Sequence, residues 1–190
     1  MRWPIFLIAL FLMLVLDQSA AVTLLDIRGV APIGAAIVAV FAALLAPRPT
    51  ALMACWVAGL AVDLLTEIPA GASRTAPMIG VHALGYVFGG MLVLALRPNL
   101  IRRQALTIGI ATIVFLLASA IVVVGLFVVH GWYETSPLEY EGRRAGAALL
   151  HRAAGALYTG LLGLPIGYLL LLTTPWWNFR STAPRAIGRR

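Results

Sequence analysis

Lysine is missing altogether from this 190-residue chain, and cysteine occurs once, at Cys55. A single cysteine excludes an intrachain disulfide and any metal site built from several thiolates. Charge of both signs is scarce: seven acidic residues and fourteen arginines make up 11% of the chain, 62% is hydrophobic, and the mean hydropathy is +0.97. A soluble domain carries about 25% charged residues, so this chain has too little polar surface to cover a globule in water. It reads as an integral membrane protein. Nucleic acid is set aside as a partner despite the net charge of +7. The arginines are scattered between apolar runs and form no stripe, which suits anionic membrane lipids instead.

Catalytic signatures are lacking as well. The chain has no H-E-x-x-H, no glycine-rich phosphate loop and no paired carboxylates at metal-ligand spacing. Gly71-Ala72-Ser73-Arg74 begins like a serine-nucleophile turn but lacks the glycine that should follow. Neither a cofactor nor a metal is expected, and the chain is not read as an enzyme.

What it does have is six apolar runs, roughly 4–25, 31–46, 50–68, 78–96, 105–130 and 153–174. A bilayer core of about 30 Å takes about 20 helical residues. The second run is short and would have to thin the bilayer or borrow flanking residues. Pro32, Pro47, Pro49, Pro69, Pro77, Pro98 and Pro175 fall at or beside run ends, where proline starts or stops a helix at little cost. The expected fold is all-α: a polytopic, compact bundle of six transmembrane helices over residues 1–176, followed by a basic cytoplasmic tail over 177–190. Nine arginines fall on one side of these spans and five on the other. The richer side should be cytoplasmic, so both termini are expected inside. Trp3, Trp176, Trp177 and Phe179 would anchor the inner interface, and Trp132 and Tyr133 the outer one. The opening MRWPIFLIALFLMLVLDQSAA also has the shape of a secretory signal with a poor cleavage site at Ser19-Ala20-Ala21, which would leave five spans. No internal repeat is evident, and the uncleaved six-span reading is the one carried forward.

Polar groups inside the spans are few and therefore informative, because an aspartate at mid-bilayer costs about 2.5–3.5 kcal/mol. Asp17 falls about 12 Å from the outer end of span one, and Asp63 about 7–8 Å from the outer end of span three, at 1.5 Å per residue. His82 lies at a similar depth on span four, and Arg74 in the intervening loop can snorkel back toward both. These residues, with Asp17 and Gln18 close by, form an expected polar cluster in the outer leaflet. Packing is preferred over proton transfer as its role, since spans two and five carry no charge at depth. His130 and His151 are read as interfacial. Small residues at four-residue spacing, Gly85/Gly89, Gly163/Gly167 and Ala54/Ala58, point to close helix packing within the chain. If Asp63 is architectural, an asparagine there should be tolerated.

The stretch AGLAVDLLTEIPAGASRTAPMIGVHALGY, residues 58–86, resembles the signature of the rod shape-determining protein MreD family. The matching residues are Gly59-Leu60, Asp63-Leu64-Leu65, the Pro69-x-Gly71 turn and Tyr86. Ala70 stands where that family usually has leucine, and Ser73-Arg74-Thr75 departs from it too. The resemblance implies a non-enzymatic subunit of the bacterial cell-elongation machinery in the cytoplasmic (inner) membrane. Such a subunit partners an MreC-like protein and helps couple cytoskeletal filaments to peptidoglycan synthesis. A second resemblance, to the substrate-binding membrane components of energy-coupling-factor vitamin transporters, rests on size and span number alone. Its Ala-x-x-x-Ala docking pattern is not met by IFLIALFLML, where Ala9 stands alone.

Overall fold

The computed structural model describes residues 1–19, 30–66, 68–69, 75–76, 79–100, 104–130 and 145–179. Among the described residues six long helices follow one another: α1 (Trp3–Asp17), α2 (Gly34–Leu45), α3 (Arg48–Leu65), α4 (Val81–Leu96), α5 (Ala105–His130) and α6 (Ala145–Leu172). A seventh, α7 (Thr174–Trp177), is a single turn. Between α3 and α4 lies a short antiparallel ribbon of β1 (Ile68–Pro69) and β2 (Thr75–Ala76), in which Pro69 pairs with Thr75. The expected Pro69-x-Gly71 turn therefore begins in a hairpin strand; Gly71 and Arg74 lie outside the described residues.

Among the described residues four helices are long and apolar enough to cross a membrane: α3, α4 with the 3-10 turn that extends it to Asn99, α5 and α6. The chain thus has the helices of a multi-pass membrane protein. Large apolar side chains cover the outside of the bundle, among them Phe11, Leu150, Leu161 and Leu172, as a lipid-facing surface requires.

α1 and α2 are shorter, at 15 and 12 residues. α2 does not meet the mismatch expected of a short span, because it is not a lipid-facing helix. Every residue from Gly34 to Leu44 is buried, and α1, α3, α4, α5 and α6 all pack on it. Its composition explains this. Ala35, Ala36, Ala39, Ala42 and Ala43 keep the cylinder narrow enough for five neighbours to close around it. Phe41 meets Trp177 edge to face at 5.0 Å and Phe179 at 5.8 Å.

Glycines set the remaining contacts. A Cβ on Gly89 would come within 2.6 Å of the Phe115 carbonyl oxygen, and one on Gly85 within 2.6 Å of Ser119 Oγ, so this pair seats α4 on α5. Gly167 lies close on Ile108 of α5, where a Cβ would come within 3.0 Å, while one on Gly163 would meet Gly109 in ordinary contact at 3.5 Å. Ala54 and Ala58 are buried in the core that α3 shares with α2. The four-residue spacings thus serve packing within the chain.

At the far end of α2, Arg97 donates from Nη1 to the Ala46 carbonyl oxygen at 2.7 Å, satisfying an acceptor that the helix leaves open. Nearby, the Arg2 backbone N–H donates to the Trp177 carbonyl oxygen at 2.9 Å. The two ends of the helical bundle therefore meet on one face. Trp177 is not an interfacial anchor; it is 1% exposed and belongs to the core, with Phe179 stacked on it. The folded unit accordingly runs past the expected boundary at residue 176. Trp176 is exposed.

Candidate functional site

A buried helix start leaves backbone N–H groups without partners unless a side chain supplies them. α4 begins at Gly80, which has no side chain to cap its own helix and adopts φ 109°, a conformation open to glycine. Asp63, from the last turn of α3, provides the missing acceptor. Its Oδ2 accepts from the Gly80 and Ala83 backbone N–H groups at 2.9 and 3.1 Å. Its Oδ1 accepts from the His82 backbone N–H at 2.9 Å and from His82 Nδ1 at 2.8 Å. A carboxylate only accepts, so Nδ1 carries the ring proton and Nε2 is the nitrogen left over. Asp63 is 1% exposed, and four donors converge on it. Negative charge at a helix N-terminus is further stabilised by the helix dipole.

Gly59 stands one turn before Asp63 and makes the cap possible. A Cβ there would lie 2.6 Å from the His82 carbonyl oxygen and 2.6 Å from the Ala83 Cα. Backbone occupies that space, so only glycine lets α3 approach the first turn of α4. Tyr86, one turn further along α4, is buried against Phe115 with ring centroids 4.9 Å apart.

Asp17 repeats the arrangement. It is the last residue of α1, not a group about 12 Å inside the span, and its carboxylate serves the start of α2. Oδ1 accepts from the Gly34 N–H at 2.8 Å and Oδ2 from the Ala35 N–H at 3.1 Å. The Ile33 N–H is taken by Thr159 Oγ1 of α6 at 3.1 Å. Asp63 likewise sits two residues from the end of α3, not five.

The recurrence is written in the sequence. An offset of 46 residues carries Asp17 to Asp63, Arg28 to Arg74, Ile33 to Ile79 and Gly34 to Gly80. Four matching positions in a stretch of alanine and leucine are faint without the shared cap that gives them meaning.

The two capped junctions border one half-enclosed cavity of about 670 Å³. Asp17, Gln18, His82 and Tyr86 are on its wall; of the expected cluster, Asp63 does not line it and Arg74 lies outside the described residues. α6 adds Arg152 and His151, the latter read from the sequence as interfacial. Both lie inside α6, which begins at Ala145, eight residues before the apolar run marked by hydropathy. Of the His82–Asp63 pair, the structure shows contact; Asp17 and Asp63 each hold their own helix and do not bond to one another. Among the described residues there is no group of three or more metal-ligating side chains.

The oxygens of both aspartates are engaged at the helix starts they cap, an arrangement that fixes helix positions. Scans against family models, curated proteins and solved structures return no match to this chain.

Proposed function

We propose that this chain is a non-enzymatic, multi-pass subunit of the bacterial cell-elongation machinery, of the MreD type, working beside an MreC-like partner in the inner membrane. One observation carries the reading. Gly59 and Asp63, which bear the resemblance, serve the α3–α4 junction by close approach and helix cap, and Tyr86 packs in the core against Phe115 of α5. A signature devoted to architecture suits a subunit whose work is to present a fixed surface to partners. In this reading all six helices α1–α6 cross the membrane and both termini are cytoplasmic. The meeting of Arg2 with Trp177 supports an even number of crossings.

Depletion in the native bacterium should cost rod shape and lateral wall growth while solute uptake continues, and the chain should copurify with a single-span, coiled-coil MreC-like protein. Reporter fusions after Glu139 and Arg185 should read outside and inside. A vitamin-uptake component is the second reading, favoured by the cavity at the capped ends. Normal shape with loss of one vitamin's uptake would establish it in place of the first.

A further inference from the structure

The cavity is more than a packing fault. Its volume of about 670 Å³ is that of a small-molecule pocket, which is typically apolar with a few convergent polar groups. Its charged side chains are not on offer to a ligand. Asp17 is spent on the N-terminus of α2, and Arg152 is engaged within the chain. The starts of α2 and α4 are closed to an anion as well, because each already holds an aspartate.

What is left lies on α4. His82 gives its Nδ1–H to Asp63, and its Nε2, an acceptor in that tautomer, has no partner within the chain. The Tyr86 hydroxyl is buried and has no hydrogen-bond partner, a state rare enough in a core to ask for a reason. The two residues are four apart on one helix, which sets them side by side on one face, and both border the cavity. An acceptor beside a donor matches a group that can both give and take a hydrogen bond. A hydroxyl does so without charge. Leu14, Val62 and Leu116 make the wall apolar elsewhere. Val15 and Leu16, beside Leu14 and Asp17, are exposed, as are Leu150 and Leu157, beside His151 and Ala156. The walls on α1 and α6 thus adjoin the lipid-facing surface.

We propose that this cavity binds an uncharged amphiphile through a single hydroxyl, which donates to His82 Nε2 and accepts from the Tyr86 hydroxyl while its hydrocarbon lies on Leu14, Val62 and Leu116. This binding is independent of the cell-elongation reading and stands or falls apart from it.

The test places the full-length protein, isotopically labelled at its histidine ring nitrogens, in phosphatidylcholine vesicles, whose headgroup carries no hydroxyl. Decanol, its methyl ether, decanoate and glycerol are titrated in turn at neutral pH and followed by solid-state nitrogen NMR. His130→Gln and His151→Gln assign the His82 signals by elimination. His82 should show a protonated Nδ1 and a bare Nε2, and decanol should move Nε2 saturably toward its hydrogen-bonded position. The ether cannot donate and should leave it in place. Tyr86→Phe should keep the fold and weaken the decanol response about fivefold, the worth of one hydrogen bond. Should that variant not fold, the alcohol and ether comparison in the parent decides alone. Equal responses to decanol and its ether would reveal a site for hydrocarbon only, and a stronger response to decanoate a site for an anion; either overturns the proposal. A glycerol response equal to that of decanol would overturn the amphiphile in favour of a soluble polyol. A His82 ring protonated on both nitrogens, a folded Tyr86→Phe variant of unchanged affinity, or no saturable shift with any of the four compounds would overturn it as well.

Discussion

At the α1–α2 junction one carboxylate holds two backbone N–H groups; at the α3–α4 junction it holds three and an imidazole. The helices they start differ correspondingly. α2 is enclosed by five neighbours and receives a further acceptor from Thr159 of α6. Among the described residues, the start of α4 draws its side-chain acceptors from Asp63 alone. The same device therefore carries unequal weight, and the second copy is where the fold depends on it. Glycine follows the same division. At the second junction Gly59 lies against backbone, which cannot move aside, whereas at the first Gly34 lies against the ends of Asp17 and Met13 side chains, which can.

The largest test of this contrast is removal of each acceptor. Asp63→Leu strands four donors in a buried site and should cost about 4 kcal/mol or more, since each unmet group costs about 1–3 kcal/mol. Asp17→Leu strands two, with Thr159 still in place, and should cost about half as much by the same reckoning. Membrane-protein abundance and unfolding temperature would report the ranking. Equal losses would mean that the two junctions are equivalent.

Next comes Gly59→Ala. A methyl group at 2.6 Å from the α4 backbone must push α3 and α4 apart, an overpacking cost of about 1–3 kcal/mol, and it would lengthen the Asp63 hydrogen bonds as well. Retained stability together with protection of the α4 amides from hydrogen exchange would show that the close approach is not needed. Loss of that protection is the expected result.

How much of this could be read beforehand divides along physical lines. Helix α5 was legible residue for residue, because an uninterrupted apolar run of 26 residues permits one answer. The Asp63–His82 partnership was legible too, from two polar groups at one depth on adjacent spans. Helix ends were not. Hydropathy continues past Asp17 into Ala20-Ala21-Val22 and gives no sign that the carboxylate has left its own helix to cap another. Nor did it reveal that α2 is enclosed, since a run of alanine and valine is as apolar against protein as against lipid. Trp177 was misplaced for the same reason: composition locates an aromatic residue near an interface, and only the position of Phe41 shows that it turns inward.

Amides at the two aspartates sharpen the comparison further and revise the expectation that asparagine is tolerated at 63. Each oxygen of Asp63 accepts two hydrogen bonds, so an amide leaves two donors facing an NH₂ group. His82 can adapt one of them by changing tautomer, but its backbone N–H cannot. Asp63→Asn should cost about 2 kcal/mol, and Asp17→Asn, which misplaces one donor, about 1 kcal/mol. A double variant with His82→Ala separates the contributions. If the imidazole is the adaptable member, Asp63→Asn should cost more in the His82→Ala background than in the parent. Equal costs in both would assign the whole effect to the backbone amides.

The smallest expected effect is at Gly34, and its sign is informative. An added Cβ there meets Asp17 Oδ1 at 2.9 Å and Met13 Sδ at 3.1 Å, both at the ends of side chains that can shift by a few tenths of an ångström. Alanine also favours the helix over glycine by about 0.8–1.0 kcal/mol. The two effects oppose each other, so Gly34→Ala should change stability by less than about 1 kcal/mol in either direction. Its counterpart by the 46-residue offset, Gly80→Ala, meets no neighbouring atom but must hold φ 109°, which costs an alanine about 1–2 kcal/mol. One substitution is limited by side-chain contact and the other by backbone conformation, at equivalent places in the two halves. Should Gly34→Ala prove the more damaging of the pair, the Asp17 cap would be the rigid one, and the ranking of the junctions would be reversed.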